Sequence, residues 1–169
     1  MQRQHPTAEQ IIQILRLENH VEGGYFRRTF QSDHRPTLFT GENQRYLTTS
    51  IYYLLTQESD VGHWHNNKSD ILHYFHLGDP IEYSLILPNG TLQQIVLGTD
   101  LINGQQLQFP VMGGTWKTSR LLQGEHGFGL ISEAVSPGFD YADMTIADSD
   151  TLQASYPQHK ELINKFAKK

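Results

Sequence analysis

Short runs of β-branched and aromatic residues recur along most of the chain, separated by clusters of glycine, proline, asparagine and aspartate. Such runs predict β-strands, and the clusters predict the turns between them. The clearest hairpin signal is Pro88-Asn89-Gly90, between two of the runs. The predicted strands are Tyr25–Gln31, Leu47–Leu55, Asp70–His76, Ile81–Leu87, Thr91–Leu97, Thr115–Leu121, Phe128–Val135 and Asp143–Ile146. About eight to ten short strands without intervening helices predict a sandwich or a closed barrel.

A helical periodicity marks the two ends of the chain. Thr7 and Gln10 fit a capping box, and apolar residues follow them at helical spacing. Near the other end, Pro157 suits a first helical turn, and an apolar stripe ends at Phe166 among lysines. We therefore expect a short N-terminal helix and a C-terminal helix on the outside of a β domain. No linker, repeat or low-complexity segment interrupts the pattern, which predicts one domain over residues 1–169.

Composition narrows the classes of function. Hydrophobic residues make up 37% of the 169 residues and charged residues 18%, which indicates a folded chain. The net charge is −5 and the one basic cluster is the C-terminal tail, so nucleic acid is not an expected partner. There is no cysteine, which excludes disulfides and thiolate chemistry. A secretory signal and a run of about 20 apolar residues are both missing, so no membrane association and a cytoplasmic location are expected.

The densest group of chemically versatile side chains surrounds His63 and His65. Residues two apart on a strand face the same side, so these two imidazoles are predicted to share one space. Two adjacent imidazoles are typical metal ligands in β proteins, and Asp70 is the nearest carboxylate that could complete such a set. The alternative is that both histidines line a polar pocket or an exposed strand.

Several segments, in this order along the chain, resemble signatures of the cupin superfamily and more narrowly of its uncharacterised cupin-5 type. They are Glu22-Gly23-Gly24-Tyr25-Phe26-Arg27, Thr49–Leu55, Lys68-Ser69-Asp70 followed by Gly78-Asp79-Pro80, and Ser136–Asp143. The resemblance covers about residues 7–165. It implies a double-stranded β-helix, the jelly-roll barrel of the cupins, which usually pairs as a homodimer.

The sequence departs from the cupin pattern where that pattern supplies metal ligands. The glutamate expected after the histidines is replaced by Ile71, and the second motif reads Gly114-Thr115-Trp116-Lys117, without its histidine. Two of the four usual ligands are therefore missing. His73 has the strand parity of Ile71, so the remaining set for a divalent metal is His63, His65 and His73. The departures favour a pocket without a tightly bound metal, and no other cofactor is expected.

Metal-free chemistry is the other possibility that the resemblance implies. Some metal-free cupins epimerise nucleotide-linked sugars with a histidine base and a tyrosine acid. Carried onto this chain, His65 is the base, and Tyr53 or Tyr83 is the acid. The alternative is that both tyrosines pack in the core. Trp116 suits stacking on a flat ligand, with barrel packing as its alternative.

Arg27 and Arg28 are adjacent on a predicted strand, so at most one of them enters the barrel. Family members often carry an acid at the position of Arg28. We therefore expect Arg27 to face the pocket, where it would pair with a phosphate or carboxylate. The alternative is a salt bridge at the surface or at an interface.

Together these observations predict that the barrel binds a small polar or anionic molecule. Three functions are compatible with that prediction: a metal-independent isomerase or epimerase of a sugar-like compound, a metal-dependent dioxygenase or isomerase, and a non-catalytic binding protein. A homodimer is also expected, because an edge strand such as Tyr25–Gln31 would otherwise leave backbone groups unpaired.

Overall fold

The computed structural model describes residues 5–41 and 43–168. Within these residues the strands are β1 (Glu18–Asn19), β2 (Tyr25–Gln31), β3 (Leu38–Thr40), β4 (Asn43–Arg45), β5 (Thr49–Thr56), β6 (Val61–Asn67), β7 (Asp70–Gly78), β8 (Ile81–Ile86), β9 (Leu92–Leu97), β10 (Gln108–Val111), β11 (Trp116–Leu121), β12 (Phe128–Ser136) and β13 (Met144–Ile146). The helices are α1 (Ala8–Leu15), α2 (Ser149–Ser155) and α3 (Lys160–Lys165), with single 3-10 turns at Leu101–Asn103, Tyr141–Asp143 and Pro157–His159.

Two antiparallel sheets face each other. One has the strand order β1-β2-β5-β12-β7-β10, and the other has the order β13-β6-β11-β8-β9. Strands β3 and β4 form a separate hairpin. Neighbours in both sheets are mostly distant in sequence, as expected of a jelly roll rather than of a simple meander. The predicted fold class, a mainly β jelly roll with terminal helices, is confirmed.

Local sequence signals explain the boundaries of several elements. The Thr7 hydroxyl accepts the Gln10 amide N–H and the Gln10 side chain accepts the Thr7 N–H, so the predicted capping box is present. The Pro88-Asn89-Gly90 turn joins β8 to β9, and Gly90 there has a φ of 82°, a value that favours glycine. The C-terminal helical region begins earlier than predicted, because Asp148 caps α2 by accepting the Thr151 N–H.

Apolar residues fill one end of the space between the sheets and leave the other end open. Along β12, Ile131 belongs to the buried core, whereas Glu133 and Val135 line a pocket. Along β5, Leu55 lies in the core and Ile51 in the pocket wall. The side-chain period of two therefore brings inward-facing residues of several strands to a common floor.

Helices cover the outer faces of both sheets. Helix α1 buries Ile11 against Leu54, Phe128 and Leu130 on the outside of the larger sheet. Helices α2 and α3 pack over the outside of the smaller sheet in an apolar cluster that contains Trp64. No helix in residues 5–41 or 43–168 is long and apolar enough to cross a membrane.

Candidate active site

The open end of the barrel holds a pocket of about 370 Å³, within the size range of small-molecule sites. Its walls combine polar and apolar side chains from both sheets and from two loops. They are Glu18, His20, Glu22, Phe26, Arg28, Ile51, Tyr53, His65, Asn67, Ile71, Lys117, Glu133, Val135, Phe139, Asp140 and Tyr141. Most of the ionisable groups lie on the floor, where they are shielded from water.

His65 lies on β6, opposite Lys117 of β11, and is buried. Its Nδ1 lies 2.7 Å from the His63 carbonyl oxygen, which can only accept, so Nδ1 carries a proton. Burial, and then the charge of Lys117, lower the pKa of His65 to about 3. The imidazole is therefore neutral at pH 7, and its Nε2 presents a lone pair.

Glu22 supplies the partner of that lone pair. Its Oε2 lies 3.2 Å from His65 Nε2, which is within hydrogen-bonding distance. Glu22 is only 9% exposed, and burial raises the pKa of its carboxyl to about 8. The carboxyl is therefore protonated at neutral pH and donates to His65. The result is an uncharged acid–base pair on one wall of the pocket.

His20 lies on the other side of the Glu22 carboxyl. Its Nδ1 accepts the Glu22 backbone N–H at 3.1 Å and lies 3.6 Å from Glu22 Oε2. Burial lowers the pKa of His20 to about 4, so the ring is neutral and its proton is on Nε2. The ring also packs edge-on against Phe26 at a centroid distance of 4.4 Å. His20 therefore orients the loop that carries Glu22.

A second group of ionisable residues joins the two sheets. Lys117 Nζ lies 2.9 Å from His73 Nε2 and 3.4 Å from Glu133 Oε1. Although burial raises the pKa of Glu133, the charge of Lys117 and the contact with His73 outweigh it and hold the pKa well below its usual range. Burial, then the charge of Lys117, lower the pKa of His73. Glu133 is thus a carboxylate, and His73 is neutral and accepts from the ammonium.

Arg28 and an aromatic loop form the rim. The Arg28 guanidinium donates to Gln31 Oε1 at 3.0 Å and to the Phe139 carbonyl at 3.3 Å, and it lies over the Phe139 ring. The side chain is exposed, so donor capacity remains available at the mouth. Exposed carboxylates of Glu18 and Asp140 lie on the same rim.

The prediction that His63 and His65 share a face is wrong. In the pairing of β6 with β11, Lys117 lies opposite His65 and Ser119 lies opposite Gly62. Two residue steps along β11 therefore correspond to three along β6, so β6 has one extra residue. Such a bulge breaks the alternation of side chains. His63 instead places Nδ1 3.2 Å from the Phe166 carbonyl of the C-terminal segment and does not line the pocket.

The two arginines are placed the opposite way from the prediction. Phe26 and Arg28 face the pocket, and Arg27, between them on β2, faces the outside of the sheet in register with Tyr52. Strand alternation allows only one of the two arginines to face the pocket. The acid that family members often carry at the position of Arg28 did not identify which arginine that is.

The aromatic candidates lie in three different settings. Trp116 is on the outer face of β11 and packs with Trp64 beneath the C-terminal helices. It therefore has a packing role, the alternative to the predicted stacking on a ligand. Tyr53 lines the pocket, but its hydroxyl donates to the Gly23 carbonyl at 2.9 Å. Tyr83 lies in the core beneath the pocket, edge-on to His73 at 5.1 Å, and its hydroxyl has no hydrogen-bond partner among the described residues.

Among the pocket residues that were not predicted as site residues are four shielded ionisable groups: His20, Glu22, Lys117 and Glu133. Glu133 had a detectable signal, because it interrupts the inward-facing apolar positions of a predicted strand between Ile131 and Val135. Glu22 begins the first segment that carries the family resemblance, and Lys117 lies in the second cupin motif, where the sequence departs from the family pattern. His20 has no comparable signal, since a bend of the chain after β1 brings it to the pocket.

The residues present do not fit a divalent metal ion. His63 is outside the pocket, and Asp70 accepts the Gly113 N–H at the exposed start of β7. In the part of the chain that the structure describes, no three His, Cys, Asp or Glu side chains are close enough to hold a metal. Where His73 and Glu133 converge, the Lys117 ammonium lies between them.

Comparisons with known proteins agree with this fold. The family model described as Cupin superfamily (DUF985) matches residues 9–147. The uncharacterized protein YML079W of Saccharomyces cerevisiae is 39% identical, over 82% of this chain and 74% of its own. A solved hypothetical protein from Leishmania major has a TM-score of 0.90 at 35% identity, covering 97% of this chain and 100% of that one. The solved protein SO0799 from Shewanella oneidensis has a TM-score of 0.86 at 37% identity, covering 97% and 99%.

Proposed function

This chain belongs to the cupin superfamily, in the family DUF985, and on that premise we propose that its pocket binds a small polar molecule and isomerises it by proton transfer. The observation that supports this proposal is the Glu22–His65 pair. A carboxyl group and an imidazole, both uncharged near pH 7, lie 3.2 Å apart in the wall of the pocket. Buried pairs with strongly displaced pKa values are typical of acid–base catalysts.

The pair suits an α-hydroxy carbonyl substrate, in which the carbon next to the carbonyl group carries both a hydrogen and a hydroxyl group. When the substrate carbonyl oxygen accepts the Glu22 hydrogen bond in place of His65, the Nε2 lone pair becomes available. His65 Nε2 then takes the proton from carbon while Glu22 gives its proton to the carbonyl oxygen, and the electron pair of the C–H bond becomes the C=C bond of an enediol. His65 is then an imidazolium beside the Glu22 carboxylate, which compensates its charge. The imidazolium then delivers its proton to the former carbonyl carbon, while the Glu22 carboxylate takes the hydroxyl proton from the carbon that was deprotonated. The carbonyl thereby moves to that carbon, and the pair is regenerated. No other reactant is consumed.

Isomerisation is a better match than epimerisation because both proton carriers lie on one wall. Inversion at a carbon requires an acid on the opposite face of the substrate. Tyr53 was the expected acid, but its hydroxyl donates to the Gly23 carbonyl. A metal-dependent reaction is not proposed, since the donor set does not fit a metal.

The charges of the pocket narrow the class of ligand. The Lys117 ammonium is balanced by the Glu133 carboxylate, and Glu22, His20 and His65 are neutral near pH 7. The floor therefore favours an uncharged polyhydroxy group over a free anion. The exposed guanidinium at the rim could pair with a phosphate or carboxylate at the other end of the ligand. We propose a monosaccharide-sized carbonyl compound, with any anionic group held at the mouth.

The test begins with a thermal-shift screen of the full chain against sugars, sugar phosphates, sugar nucleotides and organic acids. A ligand that raises Tm is then incubated in D₂O and followed by proton NMR. We expect the wild type to exchange the carbon-bound proton of the ligand for deuterium. In Glu22→Gln and His65→Ala the rate of this exchange is expected to fall by about 100-fold or more. Glu18→Gln, a carboxyl at the rim of the same pocket, serves as the matched control.

Two results would contradict the proposal. Failure of the whole panel to raise Tm would remove the carbonyl ligand class. Binding without exchange in the wild type would leave a non-catalytic binding protein, the alternative function for this pocket.

We also propose that the protein is a homodimer. Strand β1 pairs only with Tyr25 and Phe26, so the outer edge of the rest of β2 is uncovered within the described chain. Exposed apolar residues lie nearby in sequence, with Phe30 45% and Phe39 69% exposed. Light scattering is expected to give about twice the mass of the 19.4 kDa chain. A mass near that of one chain would contradict this.

A further inference from the structure

A buried triangle of polar side chains lies at the floor of the pocket, beside the Glu22–His65 pair. Lys117 is 3% exposed, and its Nζ contacts His73 Nε2 at 2.9 Å and Glu133 Oε1 at 3.4 Å. The third side, from His73 Nε2 to Glu133 Oε1, is 3.2 Å. Lysine is rarely buried this deeply unless its charge is matched. Here a strand from one sheet supplies the cation, and two neighbouring strands of the other sheet supply its acceptors.

An imidazole nitrogen and a carboxylate oxygen that converge on one point are ligands of transition metals such as Zn²⁺. In this chain that point holds an ammonium group. Since like charges repel strongly in a buried site, a divalent ion could bind there only by displacing the lysine.

We propose that Lys117 is the built-in cation of this pocket: its ammonium occupies the point on which His73 and Glu133 converge and keeps a divalent metal out. The inference goes beyond the proposed isomerase function, because neither Glu22 nor His65 belongs to the triangle. It also predicts how a variant without the Lys117 ammonium behaves. Removing the ammonium converts the floor of the pocket into a metal site for Zn²⁺ or Co²⁺, with His73 and Glu133 as protein ligands and water at the open positions.

The experiment measures metal binding by the full chain without an affinity tag. Wild type, Lys117→Ala and Lys117→Arg are dialysed against Zn²⁺ and assayed by elemental analysis, and Co²⁺ is then added to follow its visible absorption. We expect Lys117→Ala to bind one Zn²⁺ per chain about tenfold or more tightly than wild type, a change typical of altered metal-site surroundings. Lys117→Arg retains the charge and is expected to behave like wild type.

The double variant Lys117→Ala with Glu133→Gln identifies the site, because losing a ligand is expected to abolish the gain. A gain that persists in the double variant would overturn the proposal, as would equal Zn²⁺ affinity in folded Lys117→Ala and wild type. Circular dichroism confirms folding, and Lys117→Met replaces the alanine variant if that variant does not fold.

The wild type supplies an independent test. If the wild type binds one Zn²⁺ per chain and His73→Ala loses it, the metal and the lysine coexist in this site. That result would overturn the proposal. Because these readouts count metal and need no substrate, they are separate from the outcome of the isomerase test.

Discussion

Replacing Glu22 by glutamine is the sharpest test of where the proton of the Glu22–His65 pair resides. Glutamine has nearly the same shape as a protonated glutamate, and its amide can donate to His65 Nε2 as the carboxyl does. The substitution therefore keeps the hydrogen bond and removes the titration. The other charged or titratable groups of the pocket floor are unchanged; they are His20, His65, His73, Lys117 and Glu133.

The expected effect follows from the pKa of Glu22, which burial raises from 4.5 to about 8 in the folded protein. Between these values the folded chain holds a proton that the unfolded chain has lost, so stability falls as pH rises. The full interval corresponds to about 5 kcal/mol, at about 1.4 kcal/mol per pKa unit.

The two buried histidines act in the opposite direction on the acid side. Their pKa values fall from 6.5 to about 3 for His65 and about 4 for His20, so below pH 6.5 the unfolded chain binds the additional protons. The contributions of Glu22 and His65 cancel between about pH 4.5 and 6.5, and His20 adds a loss of stability towards acid. Between pH 6.5 and 8 only Glu22 of these three contributes, and we expect the free energy of unfolding to fall by about 2 kcal/mol.

The assay is urea unfolding of wild type and Glu22→Gln at half-unit steps from pH 6 to 9. The difference in free energy between the two proteins removes contributions from surface groups common to both. We expect this difference to change by about 2 kcal/mol across pH 6.5–8, and Glu18→Gln to follow wild type. If Glu22→Gln keeps the wild-type slope, Glu22 is already ionised at pH 7 and the assigned proton position is refuted.

The other predictions concern three further parts of the pocket. Arg28→Ala is expected to weaken binding of an anionic ligand about tenfold or more, because a charge-assisted hydrogen bond contributes roughly 1.5–3 kcal/mol; Arg27→Ala should bind normally in calorimetry, and equal losses would contradict the assigned orientations. Gly62→Ala should lower the free energy of unfolding by about 1–3 kcal/mol, since its Cβ would clash with Ser119 Oγ and lie 2.8 Å from the Tyr53 hydroxyl; an unchanged urea midpoint would argue against that close approach. Tyr53→Phe should lose about 1 kcal/mol of stability but keep proton exchange in D₂O, whereas loss of exchange with intact binding would restore tyrosine as the acid.

Most of the fold was predictable because its signals are local. The Thr7 capping box involves residues three apart, and the Pro88-Asn89-Gly90 turn depends on backbone preferences of adjacent residues. Strand β10 was not predicted, because its run is short and contains Pro110. That proline is tolerated because β10 is the edge strand beside β7.

Part of the site was also predictable from strand parity. Tyr53, His65 and His73 all face the interior, as an inward alternation requires. Their chemical roles did not follow from that parity. Tyr53 directs its hydroxyl to a backbone carbonyl, and His73 accepts from an ammonium on the opposite sheet. Both partners are distant in sequence, so no local pattern contains them.

What the sequence by itself determined is a β jelly roll with polar residues at several inward positions, because alternation and turn chemistry are properties of neighbouring residues. Only the tertiary structure decided which side chains enter the pocket and where the protons lie. One extra residue in β6, set by pairing with β11, turns His63 away from His65. The proton of Glu22 depends on burial and on a partner 43 positions further along the chain, and these arise only when the two sheets close.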